Sequence, residues 1–301
     1  MDLFYIKWLK MNFIFGVNNM YTLDELKNDL RNIGINKGDT VLVRADLGSI
    51  GKLETKQRED YINFMLDVVG AEGTIIGLSF TKGFFIKHQG TDIFDGSNKS
   101  YTGSFANTML KHPLALRSKH PTNSYVAIGK NAKYIIDNHN EKSGAYEPIR
   151  KIMELNGKMI LIGCVKNKPG FTTTHLAEVD LGLHKRIIFP KLNGGLYISD
   201  NKVKVFKRTD LGGCSSTFYK FYANYVKDEL LNQGYIGNAY SVLINAKEAY
   251  SLEFYLLSNN PKFNICNDKT CTLCRTRRWD NLIDSPGFLL KKLLTKLKKR
   301  F

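Results

Sequence analysis

Short apolar runs rich in β-branched residues alternate with helical patterns along most of this chain. Residues 40–43, 74–80 and 158–163 are such runs, each too short for a helix and continuous enough for a strand buried on both faces. The first helical pattern covers 23–33, where a Thr22–Glu25 capping box opens an apolar stripe that Gly34 ends. This alternation predicts an α/β fold, a three-layer αβα sandwich with a mixed central sheet.

The rest of the chain continues the alternation up to about residue 260. Helices are predicted near 56–69, 130–138, 148–156, 216–232 and 246–258, and strands at 124–128 and 240–245. Asp200 and Asn201 separate two apolar runs, 196–198 and 203–206, which predicts a hairpin. With no repeat or low-complexity linker, we expect one main domain at 20–262. An apolar extension at 1–19 precedes it, and a Cys-containing segment with a basic tail, 263–301, follows it.

The basic tail holds a large share of the net charge of +16. Residues 288–299 place leucines on one helical face and lysines on the other, so the fold is expected to end in a basic amphipathic helix. Such helices lie on anionic membranes, which makes 286–301 a candidate peripheral membrane contact. Docking on the domain or on another subunit is the alternative, so a homo-oligomer stays open. No nucleic-acid-binding motif occurs, and we expect no nucleic acid partner.

The start of the chain does not look like a secretory signal. Lys7 and Lys10 interrupt its apolar residues, and a small-residue cleavage site is lacking. No run reaches the roughly 18 apolar residues that a membrane-spanning helix needs. We therefore expect a cytoplasmic protein, with peripheral association at the inner membrane face if the tail binds lipid.

The cysteines are unevenly distributed. Cys266, Cys271 and Cys274 form a C-x4-C-x2-C cluster, Cys214 follows two glycines, and Cys164 ends an apolar run as a predicted buried thiol. A reducing compartment favours free thiols or a metal site over disulfides. The cluster, with Cys214 as fourth ligand, is a zinc candidate. A single C-x2-C is a weaker signal than two, so the sequence favours free thiols and no metal.

His175 and Glu178 carry the strongest chemical signal. Their spacing of three puts an imidazole and a carboxylate on one helical face, and Thr172 or Thr173 is expected to cap that helix. A carboxylate that orients an imidazole makes a general base that works near neutral pH. An H-x-x-E pair alone is more often solvated or structural, so the surrounding sequence decides its meaning.

Four segments of the chain follow one another in the order found in a known enzyme family. They are 23–51 with Thr-Val-Leu-Val at 40–43 and Leu-Gly-Ser-Ile-Gly at its end, Gly-Ala-Glu-Gly-Thr at 70–74, Arg-Ser-Lys-His-Pro-Thr-Asn-Ser at 117–124, and 163–178 with Thr-Thr-Thr-His-Leu-Ala-Glu. In order and spacing, residues 20–260 resemble the aminoglycoside 3-N-acetyltransferase family. The resemblance implies an acyl-CoA-dependent N-acyltransferase with an αβα fold, and a coenzyme A thioester, acetyl-CoA or a short acyl-CoA, as co-substrate.

The resemblance also implies roles for individual residues. His175 would take the proton from the acceptor amine or from a relaying water, and Glu178 would orient the imidazole. Asp180, at spacing five, faces elsewhere and ranks below Glu178. The residues implied to contact the cofactor are Val43, Arg44, Ala45, Asp46, Ser49, Ile50, Gly51, Ser118 and Thr173.

One departure from the family falls inside this cofactor segment. Members commonly carry a His-Ser-Ser run where this chain has Arg44, Ala45 and Asp46, so contacts of the serine hydroxyls do not carry over. Arg44 is expected to contact a phosphate, unless the pocket has changed shape or the arginine is a structural replacement.

Three further residues are candidates for the acceptor site. They are His120, Glu147 and Thr172. His120 precedes proline and suits a purely structural loop equally well. Glu147 suits an exposed carboxylate at a helix start.

The charge balance bears on the acceptor. Aminoglycosides are polycations, whereas this basic chain favours an anionic acceptor. The sequence therefore predicts N-acylation of a nucleotide-linked amino sugar for surface glycan biosynthesis. The alternative is an aminoglycoside 3-N-acetyltransferase that confers antibiotic resistance. A second alternative is a non-catalytic binder of anionic polymer at the membrane.

Overall fold

A computed structural model describes residues 20–274, apart from 56, 86–91, 168, 187–192, 211, 269–270 and 272, together with residues 290 and 294. The strands are β1 (Met20–Tyr21), β2 (Thr40–Ala45), β3 (Lys52–Leu53), β4 (Thr74–Leu78), β5 (Phe84–Phe85), β6 (Ile93–Phe94), β7 (Leu116–Arg117), β8 (Tyr125–Gly129), β9 (Lys158–Ile162), β10 (Asn193–Ser199), β11 (Lys202–Lys207), β12 (Leu231–Ile236) and β13 (Ala239–Asn245). The α-helices are α1 (Leu23–Ile33), α2 (Leu47–Ile50), α3 (Asp60–Val69), α4 (Ser104–Met109), α5 (Ala132–Ile136), α6 (Glu147–Glu154), α7 (Thr173–Asp180), α8 (Tyr222–Lys227) and α9 (Ala246–Asn259). Two 3-10 helices cover Leu183–Arg186 and Ser215–Phe221.

A seven-stranded mixed sheet forms the middle of the molecule, in the order β12-β13-β9-β2-β4-β8-β7. Strand β2 pairs in parallel with both β4 and β9, and the outer strands join antiparallel. The predicted αβα sandwich with a mixed sheet is confirmed.

Side chains of the central strands alternate between two apolar layers. Val41 and Val43 of β2 face one layer, in which α1, α2, α3 and α4 pack. Leu42 faces the other, which holds α5, α6, α7, α8 and α9. Both faces of the sheet are therefore covered by helices, as the continuous apolar runs predict.

The first helix shows how closely local sequence and fold agree. Thr22 and Glu25 form the predicted capping box, and Gly34 ends α1. Leu26, Leu30 and Ile33 are buried against the sheet. A capping residue of this kind contributes about 1 kcal/mol to helix stability.

A smaller antiparallel sheet lies beside the main one. Strands β10 and β11 form the predicted hairpin, with Asp200 and Asn201 at positive φ in its turn. Strands β5 and β6 both pair with β10. This small sheet carries Arg208, which directly follows β11, toward the site described below.

Two predictions of local structure are wrong. The helix expected at 216–232 is a 3-10 helix followed by the short α8, and β12 begins at Leu231. Glu229 adopts a positive φ of 55°, which ends the helical path, and β13 then pairs with β12 along its whole length. The expected side-chain cap of α7 is also absent, because Thr172 has helical dihedrals and makes no capping hydrogen bond.

Other predictions fall outside the described residues. The apolar extension at 1–19 does so entirely, and the basic tail at 286–301 does so except for Leu290 and Leu294, which are exposed and helical. In the described part of the chain, no helix combines the length and apolar character needed to cross a membrane. Membrane contact through the tail stays a prediction.

Candidate active site

The candidate active site lies where parallel strands of the main sheet end. Ala45 at the end of β2 pairs with Ile162 at the end of β9, and residues 163–172 lead from there into α7. The carboxyl ends of parallel strands are where α/β folds bind ligands. Helix α7 also packs against α9, which fixes its position on the sheet.

His175 and Glu178 form the hydrogen-bonded pair that their spacing predicts. His175 Nδ1 lies 2.9 Å from Glu178 Oε2. The carboxylate side chain is 1% exposed and the imidazole 18%. A neutral imidazole that donates from Nδ1 keeps an acceptor lone pair on Nε2. The pair can therefore act as a base with its reactive nitrogen on Nε2.

Two further donors hold the Glu178 carboxylate. The backbone N–H of Gly213 donates to Oε2 over 2.7 Å, and Asn264 Nδ2 donates to Oε1 over 2.8 Å. Hydrogen bonds to a buried carboxylate favour its charged form and fix its orientation. Segments far apart in the sequence thus position the partner of His175.

Aromatic rings and a glycine enclose the imidazole. Tyr146 stacks on His175 with centroids 5.5 Å apart, and Phe218 meets it edge-on at 4.8 Å. A Cβ added to Gly212 would lie 2.5 Å from His175 Nδ1 and 2.4 Å from Tyr146 Oη. The backbone at Gly212 therefore touches the ring directly, and only glycine fits there.

Arg208 connects this enclosure to a neighbouring cleft. Its Nη2 donates to Tyr146 Oη over 3.0 Å, and its Nε lies 3.8 Å from Asp210 Oδ1. Burial raises the pKa of Tyr146 to about 12 and that of Asp210 above its usual range. Tyr146 is therefore a neutral phenol at physiological pH.

The cleft has a volume of about 250 Å³. Its polar lining comes from Thr81, Tyr101, Thr122, Asn123, Asn193 and Arg208. None of the described residues that line it carries a carboxylate. Arg208 is the one charged side chain among these described residues, so the cleft suits neutral or anionic groups of a ligand.

A second buried glutamate lies beneath α7. Glu253 of α9 is fully buried and accepts hydrogen bonds from Thr174 Oγ1, over 2.7 Å, and from the Tyr225 hydroxyl. Burial raises the pKa of Glu253 to about 8. This carboxyl is protonated at neutral pH, and its hydrogen bond with Thr174 holds α7 against α9.

Hydrogen bonds and burial within the protein hold the predicted cofactor segment at the end of β2. Arg44 Nη1 donates to the carbonyl of Gly170 over 2.8 Å, so its guanidinium already has a protein partner. Val43 and Ile50 are buried in the core, which leaves only their backbone for a ligand. Ala45 and Gly51 are half-buried beside them.

Asp46 and Ser49 shape the short helix α2 in this segment. Asp46 Oδ1 accepts from Gly48 N over 3.2 Å, and Ser49 Oγ donates to the carbonyl of Asp46 over 2.7 Å. A Cβ on Gly163, which has a φ of +65°, would lie 1.6 Å from Ser49 Oγ. The end of β9 and α2 therefore meet in direct contact, next to the residues that lead into α7.

Ser118 and His120 belong to the interior. The Ser118 hydroxyl accepts from Tyr125 N and contacts His139 Nδ1 at 2.9 Å. His120 is fully buried, accepts from Asn123 N over 2.9 Å, and stacks on His139 at 4.9 Å. Burial lowers the pKa of His139 to about 4 and that of His120 to about 2. Both imidazoles are neutral parts of the core.

The remaining predicted residues surround α7 without joining the pair. Thr172 and Thr173 are buried, and Glu147 begins α6 with Arg150 Nε 3.5 Å from its Oε1. Asp180 binds Arg150 and the hydroxyl of Tyr250, away from His175, as its spacing predicts. Ligand contacts of these residues stay predictions.

Several functional residues had no signal in the sequence. Asn264, Tyr146, Phe218 and Arg208 reach the site from four separate segments, and nothing local marks them. The adjacent pair of glycines before Cys214 was the one usable sign, since close backbone approach is a common reason for glycine.

The four cysteines that the sequence analysis names as a zinc candidate come together in space. The Sγ atoms of Cys214, Cys266, Cys271 and Cys274 all lie within 4.8 Å of one another. Cys164 lies apart, buried, with its Sγ 3.4 Å from the carbonyl of Arg44. The segment up to Cys274 packs on the main domain, because Lys220 Nζ donates to the carbonyl of Ile265 over 3.0 Å.

Comparison with known proteins decides the family. The family model for aminoglycoside 3-N-acetyltransferase matches residues 42–257. The chain belongs to the aminoglycoside 3-N-acetyltransferase family. This confirms the resemblance, and with it the predictions of an acyl-CoA-dependent N-acyltransferase and of a coenzyme A thioester as co-substrate.

Individual relatives agree with this assignment. The chain is 28% identical over 266 residues to the SPbeta prophage-derived aminoglycoside N(3')-acetyltransferase-like protein YokD of Bacillus subtilis (strain 168), covering 81% of this chain and 95% of that protein. It is 26% identical over 176 residues to aminoglycoside N(3)-acetyltransferase III of Salmonella sp, covering 53% of this chain and 60% of that enzyme.

Solved structures share the fold. Aminoglycoside acetyltransferase AAC(3)-IVa superposes with a TM-score of 0.72 at 21% identity, over 88% of this chain and 99% of that one. AAC-IIIb in its binary complex with CoASH gives 0.66 at 21% identity, over 80% and 97%. The family model and the two curated relatives are named for aminoglycosides.

Proposed function

We propose that this enzyme transfers an acetyl group from acetyl-CoA to an amine of an aminoglycoside. The observation that carries the proposal is the buried Glu178 carboxylate, which two further donors, Gly213 N and Asn264 Nδ2, hold against His175 Nδ1. That arrangement leaves Nε2 as a proton acceptor. The acceptor follows from the family and from the names of the relatives.

Acyl transfer to a sugar amine requires a general base. A sugar ammonium has no free lone pair, so a proton must leave nitrogen before or while it attacks the thioester carbonyl. His175 Nε2 takes that proton, and Glu178 stabilises the imidazolium that forms. As the C–S bond breaks, the departing thiolate of coenzyme A takes the second proton that the nitrogen loses when the amide forms, and the proton held by His175 is released to solvent. Tyr146 and Phe218, which pack on the imidazole, keep its plane fixed during the transfer.

A second acceptor class has an observation of its own. The net charge of +16 and a cleft with Arg208 as its charged lining residue suit an anionic amino sugar, such as a nucleotide-linked one. A polycationic aminoglycoside has no carboxylate to meet among the described residues of that cleft. This class of acceptor stays the second candidate.

An acceptor panel separates the two proposals. Purified full-length enzyme is incubated with acetyl-CoA and either several aminoglycosides or several nucleotide-linked amino sugars, and products are identified by mass spectrometry. Acetylated aminoglycoside as the main product supports the first proposal. Acetylation of nucleotide-linked sugars alone overturns it in favour of the second, and turnover of neither class contradicts both.

A further inference from the structure

The cysteine cluster has the composition and the size of a metal site. Cys214 is separated from Cys266 by a 3-10 helix, two α-helices and two strands, yet the Sγ atoms of Cys214, Cys266, Cys271 and Cys274 all lie within 4.8 Å of one another. A tetrahedral zinc site with Zn–S bonds of about 2.3 Å places its sulfurs about 3.8 Å apart. Closing the cluster onto one ion therefore needs shifts of less than about 1 Å per contact.

The backbone around the cluster supports ligation. The N–H of Cys266 donates to Sγ of Cys274 over 3.3 Å, and Cys271 N donates to the carbonyl of Asp268 over 3.3 Å, closing a turn inside C-x4-C-x2-C. Cys214 Sγ lies 3.0 Å from Ser216 Oγ. Partners of this kind orient the ligands of a metal and stabilise thiolate charge.

Disulfides explain the arrangement less well than a metal does. None of the four cysteines forms a disulfide, and one compact group of four sulfurs differs from two separate pairs. An all-sulfur tetrahedral donor set selects zinc or iron among the common metals. Zinc has a filled d shell and no redox chemistry, and it is the usual metal of structural sites with four cysteine ligands.

The cluster lies next to the residues that bind Glu178, the partner of His175. Cys214 is adjacent to Gly213, whose N–H binds Glu178 Oε2, and Cys266 is two residues from Asn264, whose side chain binds Glu178 Oε1. The hydroxyl of Thr217 also donates to the carbonyl of Asn264. The two segments that meet at the sulfurs are thus the two that hold this carboxylate.

We propose that Cys214, Cys266, Cys271 and Cys274 bind one structural zinc ion that fastens residues 212–217 to residues 264–274. The ion thereby fixes both donors on Glu178. Its importance for turnover rests on the proposed function, whereas the binding of zinc does not.

Metal content gives the first test. Full-length untagged protein, purified under a phosphine reductant without added metal, is measured by elemental analysis and native mass spectrometry. We expect about one zinc per chain, and cobalt(II) in its place should give the visible absorption of a tetrahedral thiolate site. Wild-type protein that lacks zinc and takes up neither metal overturns the proposal. So does stoichiometric iron.

Variants then identify the ligands. Cys214→Ser and Cys271→Ser should each lose the zinc, while Cys164→Ser, a buried thiol outside the cluster, should keep it. Zinc retained at full stoichiometry in both cluster variants refutes this ligand set. If those variants are insoluble, the metal content and cobalt spectrum of the wild type still decide.

Amide hydrogen exchange tests the fastening role without any assay of turnover. Removing zinc with a chelator should speed exchange in a peptide that contains Gly213 and in one that contains Asn264. A peptide from β9 serves as an internal control and should not change. Unchanged protection of Gly213 after verified metal loss contradicts the fastening role. An enzyme that holds zinc and acetylates nothing would instead contradict only the proposed function.

Discussion

Replacing Glu178 by glutamine removes the charge beside His175 and keeps the shape of the side chain. The carboxylate now accepts from His175 Nδ1, from Gly213 N and from Asn264 Nδ2. A glutamine oxygen at the Oε2 position still accepts from the first two. Its NH2 group then faces the Asn264 amide, which has to turn over to accept. Glu178→Gln can therefore keep the fold and the tautomer of His175 while losing the negative charge.

The expected loss of rate follows from the charge. A hydrogen bond to a charged group contributes about 1.5–3 kcal/mol, against about 1 kcal/mol for a neutral one. The imidazolium that forms during proton transfer needs the charged partner more than the resting imidazole does. If this difference of about 0.5–2 kcal/mol is lost in the transition state, kcat falls by about 2- to 30-fold, at 1.36 kcal/mol for each factor of ten.

The assay avoids thiol reagents, because a chain with five cysteines adds a background of protein thiols to the signal of released coenzyme A. Acetylated acceptor is therefore counted by mass spectrometry, and affinity for coenzyme A is measured by calorimetry. Asp180→Asn is the matched control, since it makes the same change on the same helix at a residue that binds Arg150 and Tyr250. Glu178→Gln with wild-type kcat, or a loss equal to that of Asp180→Asn, refutes the reasoning.

Two more predictions concern Gly212 and Glu253. Gly212→Ala places a methyl group 2.5 Å from His175 Nδ1 and should reduce kcat at least tenfold with folding retained, whereas Gly234→Ala, whose Cβ meets nothing closer than 3.8 Å, should be neutral; equal rates would contradict this contact. Glu253 has its pKa raised by burial from 4.5 to about 8, so its stabilising contribution is complete below pH 4.5 and is lost as pH rises toward 8, by up to about 1.4 kcal/mol per pH unit. The melting temperature of Glu253→Gln should fall less steeply than that of the wild type as pH rises over that window. A slope equal to that of the wild type would argue against a protonated Glu253.

The sequence predicted what local patterns determine. The buried strands β2, β4 and β9, the α1 capping box and the hairpin of β10 and β11 each follow from periodicity and turn residues, and each is present. The spacing of His175 and Glu178 likewise fixed their contact, because three residues on a helix leave little other choice.

Long-range contacts set the rest, and no local pattern encodes them. The helix predicted at 216–232 overlaps the first two residues of β12, and pairing with β13 decides their conformation. His120 was predicted as a candidate for the acceptor site, and only the folded chain shows it stacked on His139 in a buried, neutral pair. The partners of Glu178 come from residues 213 and 264, which only the folded chain brings to α7.

Acetyl transfer by His175→Ala compared with wild type tests the central claim most directly. The alanine variant should bind coenzyme A with the affinity of the wild type, while its kcat for an aminoglycoside falls by about 10²- to 10⁴-fold, the usual contribution of a general base. Equal turnover by the two proteins, measured as acetylated product at saturating acetyl-CoA, would show that His175 is not the base.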